Sequence, residues 1–107
     1  MNELPKVIAN YIDAQNAFDV NTLVSTFTTN AIVFDEGRLH KGQQAIKEWN
    51  LATNKKYHTQ MRPLEFNAID GQHRVKIEMS GTFPGSPVTA NFLFEIKEGK
   101  IATLKIT

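Results

Sequence analysis

Near His58 the spacing of apolar side chains changes from three and four residues to two. That switch constrains the fold more than any other feature of the chain. Before it, Leu4, Val7, Ile8, Tyr11, Ile12 and Phe18 fall on one face of an amphipathic helix that tolerates Pro5 in its first turn. Asp19 is placed to cap a second, shorter helix carrying Val20, Leu23, Val24 and Phe27 on one face. "TTN" at 28–30 breaks this pattern; "AIVF" reads as a strand, Gly37 as a turn and "RLH" as a short extended piece. Ala45, Ile46, Trp49 and Ala52 mark a third helix after Gly42, fading through "TNKKY".

After His58 the alternation is that of strands with one polar face. Leu64, Phe66 and Ala68 alternate with Glu65 and Asn67; Val75, Ile77 and Met79 with Arg74, Lys76 and Glu78; Ala90, Phe92, Phe94 and Ile96 with Asn91, Glu95 and Lys97. "IDGQ", "FPGSP" and "KEGK" supply turns, and "IATLKI" is a last strand. Consecutive strands of this kind form an antiparallel meander. Helices first and strands after predict an α+β fold, with three helices packed on one face of a curved, mainly antiparallel sheet. At 107 residues, without repeat or linker, the chain reads as a single domain over residues 1–107.

Composition narrows the function. Apolar residues make up 41% and charged residues 21%, the balance of a globular protein. Twelve basic and eleven acidic side chains leave a net charge of +1, so neither nucleic acid nor an anionic membrane is an expected partner. The absence of cysteine excludes disulfides, thiolate metal sites and thiol nucleophiles, and fits a reducing cytoplasm. Glu3, Lys6 and Asp13 interrupt any apolar signal core, and no segment approaches a membrane span. A cytoplasmic protein is expected.

Most motifs of chemistry fail. "GRLHKGQQ" has the glycines of a phosphate loop, but Gln43 and Gln44 stand where Lys and Ser or Thr are required. His40, His58 and His73 lack metal-ligand spacing, so no metal and no cofactor is implied. Tyr11 lies on the apolar face of the first helix, where a buried hydroxyl needs a partner. Asp35 shares a strand face with Val33, opposite Ile32 and Phe34, so it is expected inside, with Glu36 as its solvated neighbour. On pattern alone, a carboxylate accepting turn hydrogen bonds is the plainer reading of Asp35.

The stretch "NYIDAQNAFDVNTLVSTFTTNAIVFDEG…HKGQQAIKEW" resembles the N-terminal half of SnoaL-like and ketosteroid-isomerase-like proteins of the nuclear transport factor 2-like superfamily. The strand order after it also agrees, so the resemblance covers essentially the whole chain. It implies a cone: a strongly bent sheet wrapped around the helices, with a pocket between them. Against ketosteroid isomerase, Tyr11 stands at the oxyanion-hole tyrosine and Asp35 at the proton-shuttling base, with no gap between them. Phe92 stands where that enzyme has its second oxyanion donor, a protonated aspartic acid, so half of the oxyanion hole is kept.

The resemblance thus implies Asp35 and Tyr11 as catalytic residues of an acid–base enzyme (isomerase, cyclase or dehydratase type). Trp49, Phe92, Phe94, Ile77, Met79, Val33 and Phe27 are the expected apolar wall for a small hydrophobic ligand. For any one of Trp49, Phe92, Phe94, Ile77 and Met79, core filling is the plainer reading. No other polar group is expected in the pocket, which favours a second reading, non-catalytic binding of a hydrophobic metabolite. A third is an interaction module working through the outer sheet face. A homodimer through that face, with Phe34, Asn91 and Leu93 as candidates, is implied by relatives that pair in this way.

Overall fold

Helices give way to strands after Tyr57, and the left-handed backbone of His58 (φ 50°) stops the last helix. The computed structural model describes residues 4–107. It runs α1 (Lys6–Asn16), α2 (Val20–Ser25), β1 (Phe27–Asp35), β2 (Arg38–Lys41), α3 (Gly42–Tyr57), β3 (Gln60–Ile69), β4 (Gln72–Ser80), β5 (Val88–Lys97) and β6 (Lys100–Ile106). The six strands form one curved, unclosed sheet in the order β2-β1-β6-β5-β4-β3. All pairings are antiparallel except β1 with β6, which is parallel. The expected α+β cone is the observed fold.

Local chemistry accounts for the elements. Pro5 precedes the first helical turn, where its missing N–H is no loss. Asp19 caps α2 by accepting from the Thr22 amide at 3.2 Å. Lys55 and Lys56 lie in the last turn of α3, where cations offset the helix dipole. "TNKKY" is therefore helical rather than a fading end.

Three apolar assignments move. Phe18 is not on the face of α1: the helix ends at Asn16, and Phe18 (φ 53°) is turned out and 44% exposed as the chain reverses toward Asp19. Phe27 leaves the face of α2 to begin β1, wholly buried. In α3 Ala52 is exposed, while Asn50, one turn beyond Ile46, takes the inward position.

The sheet solves two patterns that do not alternate. Ile101 and Leu104 are three apart yet both buried. Between β5 and β6 the register passes from Ile96↔Ile101 to Glu95↔Thr103, leaving Ala102 as the extra residue of a bulge that restores one inward face. In β3 the register slips between Pro63 and Glu65, and the unpaired Leu64 is 42% exposed instead of sharing a face with Phe66. Pro63 has no amide to donate there.

The inner face carries Val33, Val75, Ile77, Phe92 and Phe94, all wholly buried, against Ile8, Tyr11 and Leu23 from the helices. The start of edge strand β3 is covered by α1. The Asn16 side chain donates to the Met61 carbonyl at 2.9 Å and accepts from the Met61 amide at 2.7 Å, acting as a short strand mimic.

Gly81 fixes the far end of the cone. A Cβ there would lie 2.2 Å from the Tyr57 carbonyl oxygen, which also accepts from the Thr82 amide at 2.8 Å. Gly81→Ala is expected to lower stability by about 1–3 kcal/mol, because backbone must move to admit the methyl group. Urea unfolding of the two proteins measures it; an unchanged midpoint would refute the close approach.

Candidate functional site

Asp35 ends β1 on the same side as Val33 and Ala31, and its carboxylate borders a cavity of about 440 Å³. The Trp49 indole Nε1 donates to Asp35 Oδ2 at 3.1 Å, joining α3 to the strand end. The next residue, Glu36, takes positive φ (52°) and stands exposed at the mouth, so the two adjacent acids have different surroundings. Asp35 itself is half-buried, less enclosed than its strand pattern predicts. The His40 ring lies 5.8 Å from that of Trp49 and covers its other side.

The cavity wall is apolar around Met61, Met79, Phe92 and Ile106, with Phe83 and Val88 toward the opening. One side is different. Gln15 from α1 and Asn50 from α3, each only 2% exposed, line the cavity together with Thr53. Gln15 Nε2 donates to the Thr59 carbonyl at 3.0 Å and to Asn54 Oδ1 at 2.7 Å. Asn54 Nδ2 donates to Asn50 Oδ1 at 3.1 Å, and Asn50 Nδ2 donates to Gln15 Oε1 at 2.8 Å. Three side-chain amides thus close a ring. The Thr59 carbonyl can only accept, so it sets the orientation of Gln15 and, through it, of the other two amides.

Tyr11 is elsewhere. Its ring is wholly buried, edge-on to Phe27 at 5.8 Å and to Phe94 at 5.6 Å. Its hydroxyl has no hydrogen-bond partner among the described residues and does not border the cavity. Burial, and secondarily the charge of Asp35, push the phenol well above its ordinary range, so it stays neutral and protonated.

Of the residues singled out by sequence, the cavity brings together Asp35, Trp49, Met79 and Phe92. Val33, Phe27, Ile77, Phe94 and Tyr11 belong to the buried core and are not among the residues that line the cavity. The expectation of no further polar pocket group is also overturned, by Gln15, Asn50 and Thr53. Helical spacing carried the missing signal: Gln15 follows Tyr11 by four residues and Asn50 follows Ile46 by four, each continuing an inward stripe.

The sequence matches no protein-family model and no curated protein. Solved structures do match. A protein proposed to be a polyketide cyclase, from Sinorhizobium meliloti, is 40% identical with a TM-score of 0.94, covering 97% of this chain and 95% of that one. A protein with a ketosteroid isomerase-like fold from Catenulispora acidiphila, bound to trimethylamine, is 14% identical with a TM-score of 0.86, over 98% of this chain and 86% of that one. The epoxide hydrolase/cyclase-like SalBIII of pyran ring formation in salinomycin is 23% identical with a TM-score of 0.82, over 94% and 86%.

The buried, unpartnered hydroxyl of Tyr11 gives a stability prediction. An unsatisfied hydroxyl costs about 1–3 kcal/mol, so Tyr11→Phe should be more stable by about 1 kcal/mol. The alkaline limb follows from the same burial. Above pH 10.0, the ordinary tyrosine value, the unfolded chain releases the proton that the folded chain retains, and stability falls as pH rises. Tyr11→Phe should remove that part of the fall. Thermal unfolding of both proteins from pH 7 to 11 reads both effects, and a less stable variant would show that the hydroxyl is satisfied in solution.

Proposed function

The chain belongs to the SnoaL-like, ketosteroid-isomerase-like group of the nuclear transport factor 2-like superfamily, and from that premise we propose that it is a small acid–base enzyme acting on a hydrophobic carbonyl compound. One observation supports this above the rest: a carboxylate, Asp35, borders a largely apolar cavity and is held by the Trp49 indole. The Asp35 carboxylate takes a proton from the carbon beside the carbonyl. The electron pair moves onto the carbonyl oxygen as an enolate, and the resulting carboxylic acid returns the proton to carbon. A positioned base of this kind contributes about 10²–10⁴ in rate. The volume suits a ligand at the small end of the usual range, ~300–1,000 Å³. Tyr11, whose buried hydroxyl is not among the groups that line the cavity, has no donor role in this reading.

Asp35→Asn tests the assignment. Asparagine keeps an acceptor for the Trp49 indole and loses the base. Deuterium exchange at C2 of 1-indanone in D₂O, followed by NMR, should be accelerated by the natural protein and slower by about a hundredfold or more in the variant. The melting temperature should be unchanged or higher. Equal exchange in both would sink the base. No exchange by either, with 1-indanone still bound, would favour non-catalytic binding of a hydrophobic metabolite, the reading that the apolar Phe92 on the wall supports.

We also infer that the outer sheet face pairs with a second copy. Phe34, Lys105, Leu93 and Arg74 occupy one rung across four strands, with Phe34 and Leu93 half-buried and Lys105 Nζ 5.7 Å from the Phe34 ring centre. A second copy would cover the apolar members of this rung, together with the neighbouring Asn91. Light scattering at micromolar concentration should give twice the 12.1 kDa chain mass, and Leu93→Glu should return the chain mass. A monomer at both positions would end the inference.

A further inference from the structure

The amide ring leaves two donor hydrogens unspent, one on Asn50 and one on Asn54, and of these two residues Asn50 is the one that borders the cavity. Each side-chain amide has two hydrogens to give. Gln15 spends both, on Asn54 and on the Thr59 carbonyl. Asn50 spends one on Gln15, and its second hydrogen has no acceptor among the described residues. Its own oxygen is already taken by Asn54. Asn50 is 2% exposed and borders the cavity, so water reaches that hydrogen only by entering the cavity.

The ring also makes the donor rigid. Gln15 is held by a backbone carbonyl, Asn50 is held by Gln15 and Asn54, and the three side chains stand on helices, Gln15 on α1 and the two asparagines on α3. A preorganised donor bound into a closed network is worth more to a ligand than one that must be ordered on binding. The chemistry of the two polar groups differs in kind. Asp35, as a carboxylate, offers only acceptors; Asn50 adds a donor.

We propose that Asn50 is the oxygen-binding residue of the cavity: its free Nδ2 hydrogen donates to a carbonyl oxygen of the ligand, while the body of the ligand lies against Met79, Phe92 and Ile106. The inference rests on the cavity's being a ligand site, as in the acid–base reading, and adds the group that takes the oxygen. It narrows the ligand to a small apolar body bearing an acceptor oxygen. For a ketone it also assigns the donor that meets the enolate oxygen to a residue that borders the cavity.

Two probes differing by one carbonyl, 1-indanone and indane, test it by NMR titration of the full chain. The natural protein should bind 1-indanone about tenfold more tightly than indane, the worth of one good hydrogen bond. The Asn50 side-chain amide resonances should move with 1-indanone and stay in place with indane. Asn50→Leu should bind both probes alike. That variant opens the amide ring, so the resonance shift in the natural protein stands as a test that needs no variant. Equal affinities, no detectable binding of either probe, or an unmoved Asn50 amide while 1-indanone binds would each overturn the proposal. Asp35→Asn keeps the two readings apart. Tenfold discrimination that persists while exchange is lost supports Asn50 and the base together. Discrimination with exchange unaffected by Asp35→Asn retains Asn50 and removes the base.

Discussion

Three side-chain amides, Gln15 and Asn50 buried and Asn54 half-buried, hold the cone together. Gln15 sits at the end of α1, Asn50 and Asn54 one turn apart on α3, and the Thr59 carbonyl just before β3. These segments are far apart in sequence, Asn54 following Gln15 by 39 positions and Thr59 by 44. Burying an amide without partners is costly, by about 1–3 kcal/mol for each unsatisfied group. The ring removes that cost only when all three helical and strand segments are correctly placed. It therefore works as a condition on the packing: apolar side chains such as Ile8, Ile46 and Phe92 gain from many arrangements, whereas the amides are satisfied in this one.

The sheet meets that condition by bending. Placing β3 against the end of α1 while β1 and β2 stand beside α3 requires the strands to curl around the helices. The bulge at Ala102 and the slip at Pro63–Glu65 lie in different strands, and each increases local twist. The sheet stays open, so one end of the cone is left to side chains rather than backbone. That end is the cavity, closed below by Phe92 and Met79 and bordered by the chain from Gly81 to Val88.

The sequence made the architecture legible because alternation and helical spacing are dense signals. The change of period at His58 coincided with the end of α3, and Asp19 and Pro5 announced helix starts by their own local chemistry. The site was only partly legible. Asp35, Trp49, Met79 and Phe92 came from pattern and family resemblance together. Gln15 and Asn50 were hidden because a polar residue on an inward stripe has no meaning until its partners are known, and those partners lie on other elements. Tyr11 poses the opposite difficulty. Its position along the chain fits an oxyanion donor, but whether a hydroxyl meets the cavity depends on packing by Phe27 and Phe94, which no local pattern contains.

Helix α3 is the common ruler of three polar contacts around the cavity. Trp49 reaches Asp35, Asn50 joins the amide ring, and the Tyr57 carbonyl holds Thr82 at the mouth. At 1.5 Å of rise per residue, Trp49 and Tyr57 are separated by about 12 Å along the axis, a span on the scale of a small two-ring molecule. Because one rigid helix carries all three contacts, the carboxylate, the amide donor and the mouth cannot shift independently. A substitution that rotates or translates α3 should disturb all three together. One confined to Phe92 or Met79 should change the shape of the apolar wall and leave the polar geometry in place. Under the proposed acid–base reading, the groups that hold the polar geometry are anchored by α3, whereas the apolar wall that would meet a ligand's body is built mainly from strands.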